Sequence, residues 1–408
     1  MSRRALFVWL APLSTVLALA GCGGGSATGT PGGGGAGGAG GGPAVSGPCA
    51  AKMSECLGDQ RACVADEGGK SAHCELCPES EYASPESGSC TAIEGKKYGH
   101  DFAEFTSQPG EEVLGLCQSW TLNNDEEIWV NTVEMAQDEA SHHSNWMYMP
   151  DTLFEGPDGV WPCDERHYSQ SAAVLQGGVL YAQSTQATKE VQRFPGHAAY
   201  RIPPHARVIG DVHLLNVTNQ PITGHARLNI YGMPSDEVKI KLAPFHLSFE
   251  TLDIPPHARS RTSAECLLED QFQNVLSSPV KMKVYYLLPH THGLGTRFFI
   301  DVIGGPSDGK SVLDVLGPPG EARGRGYDPP FDLAGMKGLR FGCEFDNPRA
   351  EAVHWGFGDQ EMCEVLGFAE MRAAFESIVD APKAAGADGE VQLYSGPCAT
   401  PLFVPWSN

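Results

Sequence analysis

The sequence predicts an all-β fold built from two consecutive β-sandwich or jelly-roll domains, and three observations lead there. From about residue 95 onward, apolar or alternating runs of five to eight residues recur: Glu127 to Val133, Ala173 to Ala182, Ala206 to Asn216, His225 to Tyr231, Val280 to Leu288 and Arg297 to Ile303. Each meets turn residues such as Asn123-Asn124-Asp125 or Gly304-Gly305-Pro306, the punctuation expected between short strands. Long amphipathic helical periodicity is scarce, with Glu370 to Ile378 as the main helix expected. The body spans about 310 residues, large for one sandwich, so two are expected.

The chain before this body divides by composition. Arg3 and Arg4 precede an apolar run, Ala5 to Ala20, and then Leu19-Ala20-Gly21-Cys22. The run is too short for a stable membrane span. Residues 1–21 resemble a bacterial lipoprotein signal, with cleavage before Cys22 and diacylation of its thiol. Gly23 follows where an inner-membrane retention signal would place aspartate, so an outer-membrane or cell-surface anchor is expected. Residues 22–47 are nearly all Gly, Ala, Ser and Pro. They bury too little apolar surface to offset their ordering entropy and read as a flexible linker.

Thirteen cysteines are present. Setting Cys22 aside leaves an even number in an exported, oxidising context. Cys49, Cys56, Cys63, Cys74, Cys77 and Cys90 fall within residues 48–92, a segment too small for an unaided core, so three disulfides are expected to staple it. Cys74-Glu75-Leu76-Cys77 could form half of a zinc site, but no second CxxC or CxxH lies nearby. Cys117, Cys163, Cys266, Cys343, Cys363 and Cys398 are spread through the body and are also expected in disulfides.

The formal net charge of −22 excludes a nucleic-acid partner, because a phosphate backbone repels such a surface. Two motif matches are rejected. Gly304 to Ser311 fits GxxxxGK[ST], but Val312 to Leu316 leaves too few residues for the helix a P-loop requires before Gly317-Pro318-Pro319. Gly305 to Gly309 fits GxSxG, which needs a strand-turn-helix that an all-β chain does not offer. This stretch reads as a hairpin loop.

Four groups of candidate metal ligands remain. His142 and His143 are adjacent; in a regular strand they face opposite sides, so joint ligation needs a loop, bulge or strand end. His213 lies in the strand pattern Gly210 to Thr218. His290 and His292 are spaced i, i+2, which places both on one face of a strand. Met362 lies beside Cys363. Each residue alone is more often a packed or hydrogen-bonded structural residue.

Together, the motifs "SHHSNW", "DVHLLNVTNQP", "LLPHTHGLGTR", "YDPPF" and "CEFDN…QEMC" resemble the copper type II, ascorbate-dependent monooxygenases, the group of dopamine β-monooxygenase and peptidylglycine α-hydroxylating monooxygenase. The resemblance covers roughly residues 98 to 400. It implies two jelly-roll domains, 98–232 and 233–405, with copper sites facing an interdomain cleft. It implies one copper on His142, His143 and His213 that relays electrons. It implies a second copper on His290, His292 and Met362 that activates O₂, making these three the catalytic set. Imidazole suits both oxidation states, and a soft thioether favours Cu(I). The resemblance also implies the pairings Cys117–Cys163, Cys343–Cys363 and Cys266–Cys398.

The expected activity is hydroxylation of a C–H bond in a small organic substrate, with O₂ and with ascorbate or another one-electron donor, by a monomer that meets the membrane only through its lipid anchor. The other reading is a non-catalytic copper-binding or adhesive surface lipoprotein that keeps the fold. Peptide-amidating members carry an arginine two residues before the HTH pair and a tyrosine four after the methionine; here these are Leu288 and Leu366. Asp211 stands where that branch often has glutamine. A clamp for a peptide carboxylate is therefore absent, while Glu361 or Glu364 could recognise an amine. His225, His246 and His354 are read as structural, and His167 and His197 are left unassigned. His205 and His257 sit in two copies of Pro-Pro-His-Ala-Arg, read as equivalent turns.

Overall fold

Alternation of buried and exposed residues sets the strands. In Ala258–Leu267, Ser260, Thr262, Ala264 and Cys266 are buried while residues between them reach outward, the period-two pattern of a half-buried strand. Ile128–Gln137 is instead buried along most of its length. It lies among Lys189–Arg193, Ala198–Ile202 and Ala226–Met233, with which it pairs. The result is an all-β chain.

The computed structural model describes residues 47–58, 60–138, 141–183, 187–317, 324–356 and 359–403, all within the unit Pro43–Asn408. The signal sequence, Cys22 and the linker as far as residue 46 lie outside the described residues. Two large cores are present. The first joins a five-stranded sheet, in the order Gly159–Pro162, Glu112–Thr121, Ala206–Leu215, Ser141–Pro150, Gly178–Ala182, to residues of Ile128–Gln137 and Ala226–Met233. The second joins a six-stranded sheet containing Ala258–Leu267, Gly295–Ile303 and Gly338–Asn347 to residues of Ile240–Phe249, Lys283–His290 and Glu364–Glu370. One twelve-stranded sheet runs past both, continued by the parallel pairing of Ala198 and Ala199 with Ile240 and Lys241. Phe368 stacks on Tyr200 at 5.0 Å and lies 5.2 Å from Phe194, so aromatic packing closes the same junction.

Three boundaries differ from expectation. Glu370 to Ile378 is not a helix. Glu364–Glu370 and Ala374–Val379 are strands, the latter burying Phe375, Ser377 and Val379 in alternation and pairing in parallel with Ile240–Phe249. Pairing overrides the helix propensity of its alanines. Ala173 to Ala182 is only half strand. Gln170–Gln176 is helical, capped where Ser169 Oγ accepts the Ala172 N–H at 3.3 Å, and Gly178–Ala182 is the strand. The strand expected at Val280 to Leu288 runs instead over Lys283–His290. The 304–310 loop links antiparallel strands Gly295–Ile303 and Ser311–Leu316, so a strand follows it, as a hairpin requires.

All three expected body disulfides form: Cys117–Cys163, Cys266–Cys398 and Cys343–Cys363. In the Cys-rich segment the bridges are Cys49–Cys63, Cys56–Cys74 and Cys77–Cys90. Cys74 and Cys77 therefore serve different disulfides, and the zinc alternative falls. The segment's own core is slight: Ala62, Cys77 and Ala83. It is held to the body by a buried polar knot. Lys189 Nζ lies 2.8 Å from Glu134 and donates to the carbonyls of Cys77 (3.0 Å), Pro78 (2.6 Å) and Glu81 (2.9 Å). Glu134 accepts from Ser80 N–H (3.0 Å), Asn229 Nδ2 (2.9 Å) and the Tyr231 hydroxyl (2.9 Å). Lys189 is 4% exposed and Glu134 1%. These partners offset the cost of burying both charges.

Removing one partner of such a pair leaves the other charge buried. Lys189→Met is expected to lower unfolding free energy by about 3–5 kcal/mol, read by urea denaturation, and to make residues 47–95 the first site of limited proteolysis. An unchanged midpoint with an unchanged cleavage pattern would show that the segment is held elsewhere.

Candidate functional site

Register places the candidate residues. His290 pairs with Glu364 and Leu288 with Leu366. On the other side of Glu364–Glu370, Ser248 pairs with Glu364 and His246 with Leu366, and His246 also pairs with Glu376. Directly opposed residues share a face. One face therefore carries a row His290, Glu364, Ser248 and a second row Leu288, Leu366, His246, Glu376. Met362 and Glu250, two residues beyond Glu364 and Ser248, extend it. This face walls a cavity of about 750 Å³, within the range of small-molecule sites. The cavity is also lined by Asn145, Met147, Gln170, Val174 and Asp211, so residues packed with either core contribute to it.

His290 and Met362 both line the cavity, and Met362 is buried. The rings of His290 and His292 lie 5.1 Å apart at 79°. His292 Nδ1 is 2.7 Å from the Gln360 carbonyl. An N–H must donate there, which in a neutral ring leaves the lone pair on Nε2, the arrangement that orients a metal-binding imidazole. Glu361 holds the same turn: Oε2 accepts the His292 N–H at 2.8 Å and Oε1 the Leu294 N–H at 2.6 Å. Burial pushes the Glu361 carboxyl up, against the pull of these amides. The expectation that Glu361 could recognise an amine does not hold, because its carboxylate is 1% exposed and committed to backbone N–H groups. Glu364 does reach the cavity. Immediately after Met362, Cys363 is bridged to Cys343.

His213 lies on a different pair of strands, near enough to His292 for that ring's charge to act on it. It pairs with His143 across neighbouring strands, and the next pair is Leu214 with Ser141. His142 is thus the extra residue of a β-bulge, the backbone device that adjacent histidines need. The side chains of His142 and His143 lie outside the described residues. His213 is buried, with Nε2 2.8 Å from Glu112 Oε1. Burial pushes its pKa down while Glu112 acts to raise it. It borders a much smaller pocket with Gln118 and Ser144. No group of three His, Cys, Asp or Glu side chains placed to hold a metal ion occurs among the described residues; the set of His290, His292 and Met362 has a thioether as its third member. Two imidazoles and a thioether form a donor set suited to Cu(I).

His246, expected to be structural, lies instead in a cluster of ionisable side chains on the cavity wall. His246 Nε2 is 3.5 Å from Glu364 and Nδ1 3.4 Å from Glu376. Ser248 Oγ donates to Glu250 at 3.0 Å and reaches Glu364 at 3.5 Å. Burial disfavours the imidazolium, but hydrogen bonds to Glu364 and Glu376 outweigh it and push His246 up to about 10. Burial raises Glu250, and the neighbouring Glu364 adds to the rise. A signal existed in Pro244 to Glu250, where His246, Ser248 and Glu250 fall at period two within an apolar strand.

A histidine whose folded pKa is raised stabilises the fold fully below its ordinary value, and that stability is lost as pH climbs through the folded value. The stability gap between wild type and His246→Leu is therefore expected to be widest below about pH 6.5 and to close through about pH 10. Urea denaturation across that range checks it; a gap independent of pH would contradict the ion cluster.

No protein-family model matches the chain, and no curated protein matches it. Among solved structures, the chain is similar to the major capsid protein P2 of bacteriophage PM2, with 9% identity, 67% of this chain and 97% of that chain covered, and a TM-score of 0.31. It is also similar to the empty top-component particle protein of cowpea mosaic virus, with 7% identity, 66% and 89% covered, and a TM-score of 0.30. These TM-scores are too low to carry an argument about either fold or activity.

Proposed function

We propose that this protein is a copper-dependent monooxygenase that hydroxylates a C–H bond of a small organic substrate, using O₂ and ascorbate or another one-electron donor. The observation that carries the reading is the placement of His290 and Met362 on one wall of a 750 Å³ cavity, beside a His292 whose ring is oriented by the Gln360 carbonyl. On this reading the two cores correspond to two jelly-roll domains, 98–232 and 233–405, and the cavity is the cleft between them. His290, His292 and Met362 would hold one copper, and His142, His143 and His213 the other. Copper supplies one-electron redox chemistry and O₂ binding that protein side chains lack.

The chain's own residues shape the rest. Gln360 and Glu361 orient His292; the Cys343–Cys363 bridge fixes the chain beside Met362. Leu288 and Leu366 make the wall next to His290 apolar, where a substrate's C–H can lie out of water. With these leucines and with Asp211, Glu250, Glu364 and Glu376 on the lining, a carboxylate-bearing substrate such as a peptide C-terminus is disfavoured. Lipidation at Cys22 would tether a monomer to the outer membrane or cell surface.

The purified chain is expected to bind two coppers, by elemental analysis, and to consume O₂ in an ascorbate-dependent manner in a screen of small aromatic and amine compounds. Met362→Ile is expected to reduce uptake to background. Zero or one copper in a fully metallated preparation would overturn the reading; bound copper with no uptake would favour a non-catalytic copper-binding lipoprotein.

A further inference from the structure

We propose that Glu361 is a positioning residue that sets the spacing between His292 and Met362, an inference that rests on the copper reading of this site. The two residues lie on separate arms: His292 on the turn after Lys283–His290, Met362 on the segment before Glu364–Glu370. A metal ligand set must be held within about 0.5 Å of its working geometry. The Cys343–Cys363 bridge fixes the second arm but does not touch the first. Glu361 ties them together. Its carboxylate spans the two amides of the turn, His292 N–H at 2.8 Å and Leu294 N–H at 2.6 Å, in the manner of an anion seated in a backbone nest.

The clamp is itself anchored. Glu361 N–H donates to the His354 carbonyl at 2.9 Å, and its carbonyl accepts the Gly356 N–H at 3.1 Å. At 1% exposure the carboxylate does not trade these bonds for water. Three consecutive residues thus act on one point: Gln360 turns the ring of His292, Glu361 holds its backbone and Met362 supplies the thioether. Each turn amide meets a different oxygen, so a carboxylate serves both in place, whereas an amide side chain there would set its NH₂ against one of them.

Glu361→Gln keeps the length but offers one acceptor; Glu361→Asp keeps both oxygens on a shorter arm. The probe is Ag(I), a redox-inert soft ion, titrated into the full chain, with X-ray absorption of the Cu(I)-loaded protein reporting copper–sulfur ligation. Both variants are expected to lose about 10- to 100-fold in Ag(I) affinity and to show a weakened copper–sulfur signal, while their melting midpoints stay near wild type. Should the aspartate variant fail to fold, the glutamine variant decides. Wild-type affinity and an intact copper–sulfur signal in the glutamine variant would overturn the positioning role alone. A wild-type protein with no sulfur-bound metal would overturn the copper reading first, and this role with it.

Discussion

One register constraint underlies the cavity. Phe245 lies directly opposite Gly367, and a Cβ at residue 367 would come within 2.2 Å of the Phe245 ring. Only glycine leaves that ring its place, stacked on Phe375 at 5.2 Å in the second core. Because side chains alternate, seating Phe245 inward sends His246 to the opposite face, and pairing Gly367 with it sends Leu366 there too. A one-residue slip of Glu364–Glu370 would exchange Glu364 and Leu366 for Val365 and Gly367 on the cavity wall. The aromatic packing of the core and the polar wall of the cavity, which Phe245 and Phe375 also border, are thus set by one alignment.

Two carboxylates, Glu134 and Glu361, are each 1% exposed, and their partners show different jobs. Glu134 meets a lysine ammonium, an amide side chain, a hydroxyl and one backbone N–H. That set binds the Cys-rich segment to the body. Glu361 meets backbone N–H groups, those of His292 and Leu294 from one turn and that of Met362 beside it. A charge at the first position is compensated by another charge, so the knot is neutral. At the second position backbone amides take that part, and burial pushes the carboxyl up against them.

Sequence reading succeeds where the signal is local or framed by cysteines. The all-β pattern, the hairpin at 304–310 and the three body disulfides are found as expected. The repeated Pro-Pro-His-Ala-Arg also forms equivalent turns. His205 and His257 have φ of 55° and 50°, and the asparagines Asn124 and Asn347 donate to the carbonyls of Pro203 and Pro255. What escaped is long-range. His246 meets Glu376 across 130 residues through a parallel pairing, and no spacing rule reports such a pair. The helix expected over 370–378 failed for the same reason: its residues are strand because Ile240–Phe249 lies beside them.

Under the proposed function, the two ligand sets divide their labour by location as much as by donor type. His213 sits within paired strands, with Glu112 against its Nε2 and only a narrow pocket beside it. A centre that passes one electron needs fixed ligands and no room. His290 ends its strand, and beyond it the chain turns back through Leu294 to meet Glu361. Ending the strand there leaves His290 and Met362 facing 750 Å³ of space instead of a neighbouring strand. A centre that must admit both O₂ and an organic molecule needs that opening. Had the strand continued in register past His290, its next neighbours would have closed the wall, and the same three ligands could hold a metal without meeting a substrate.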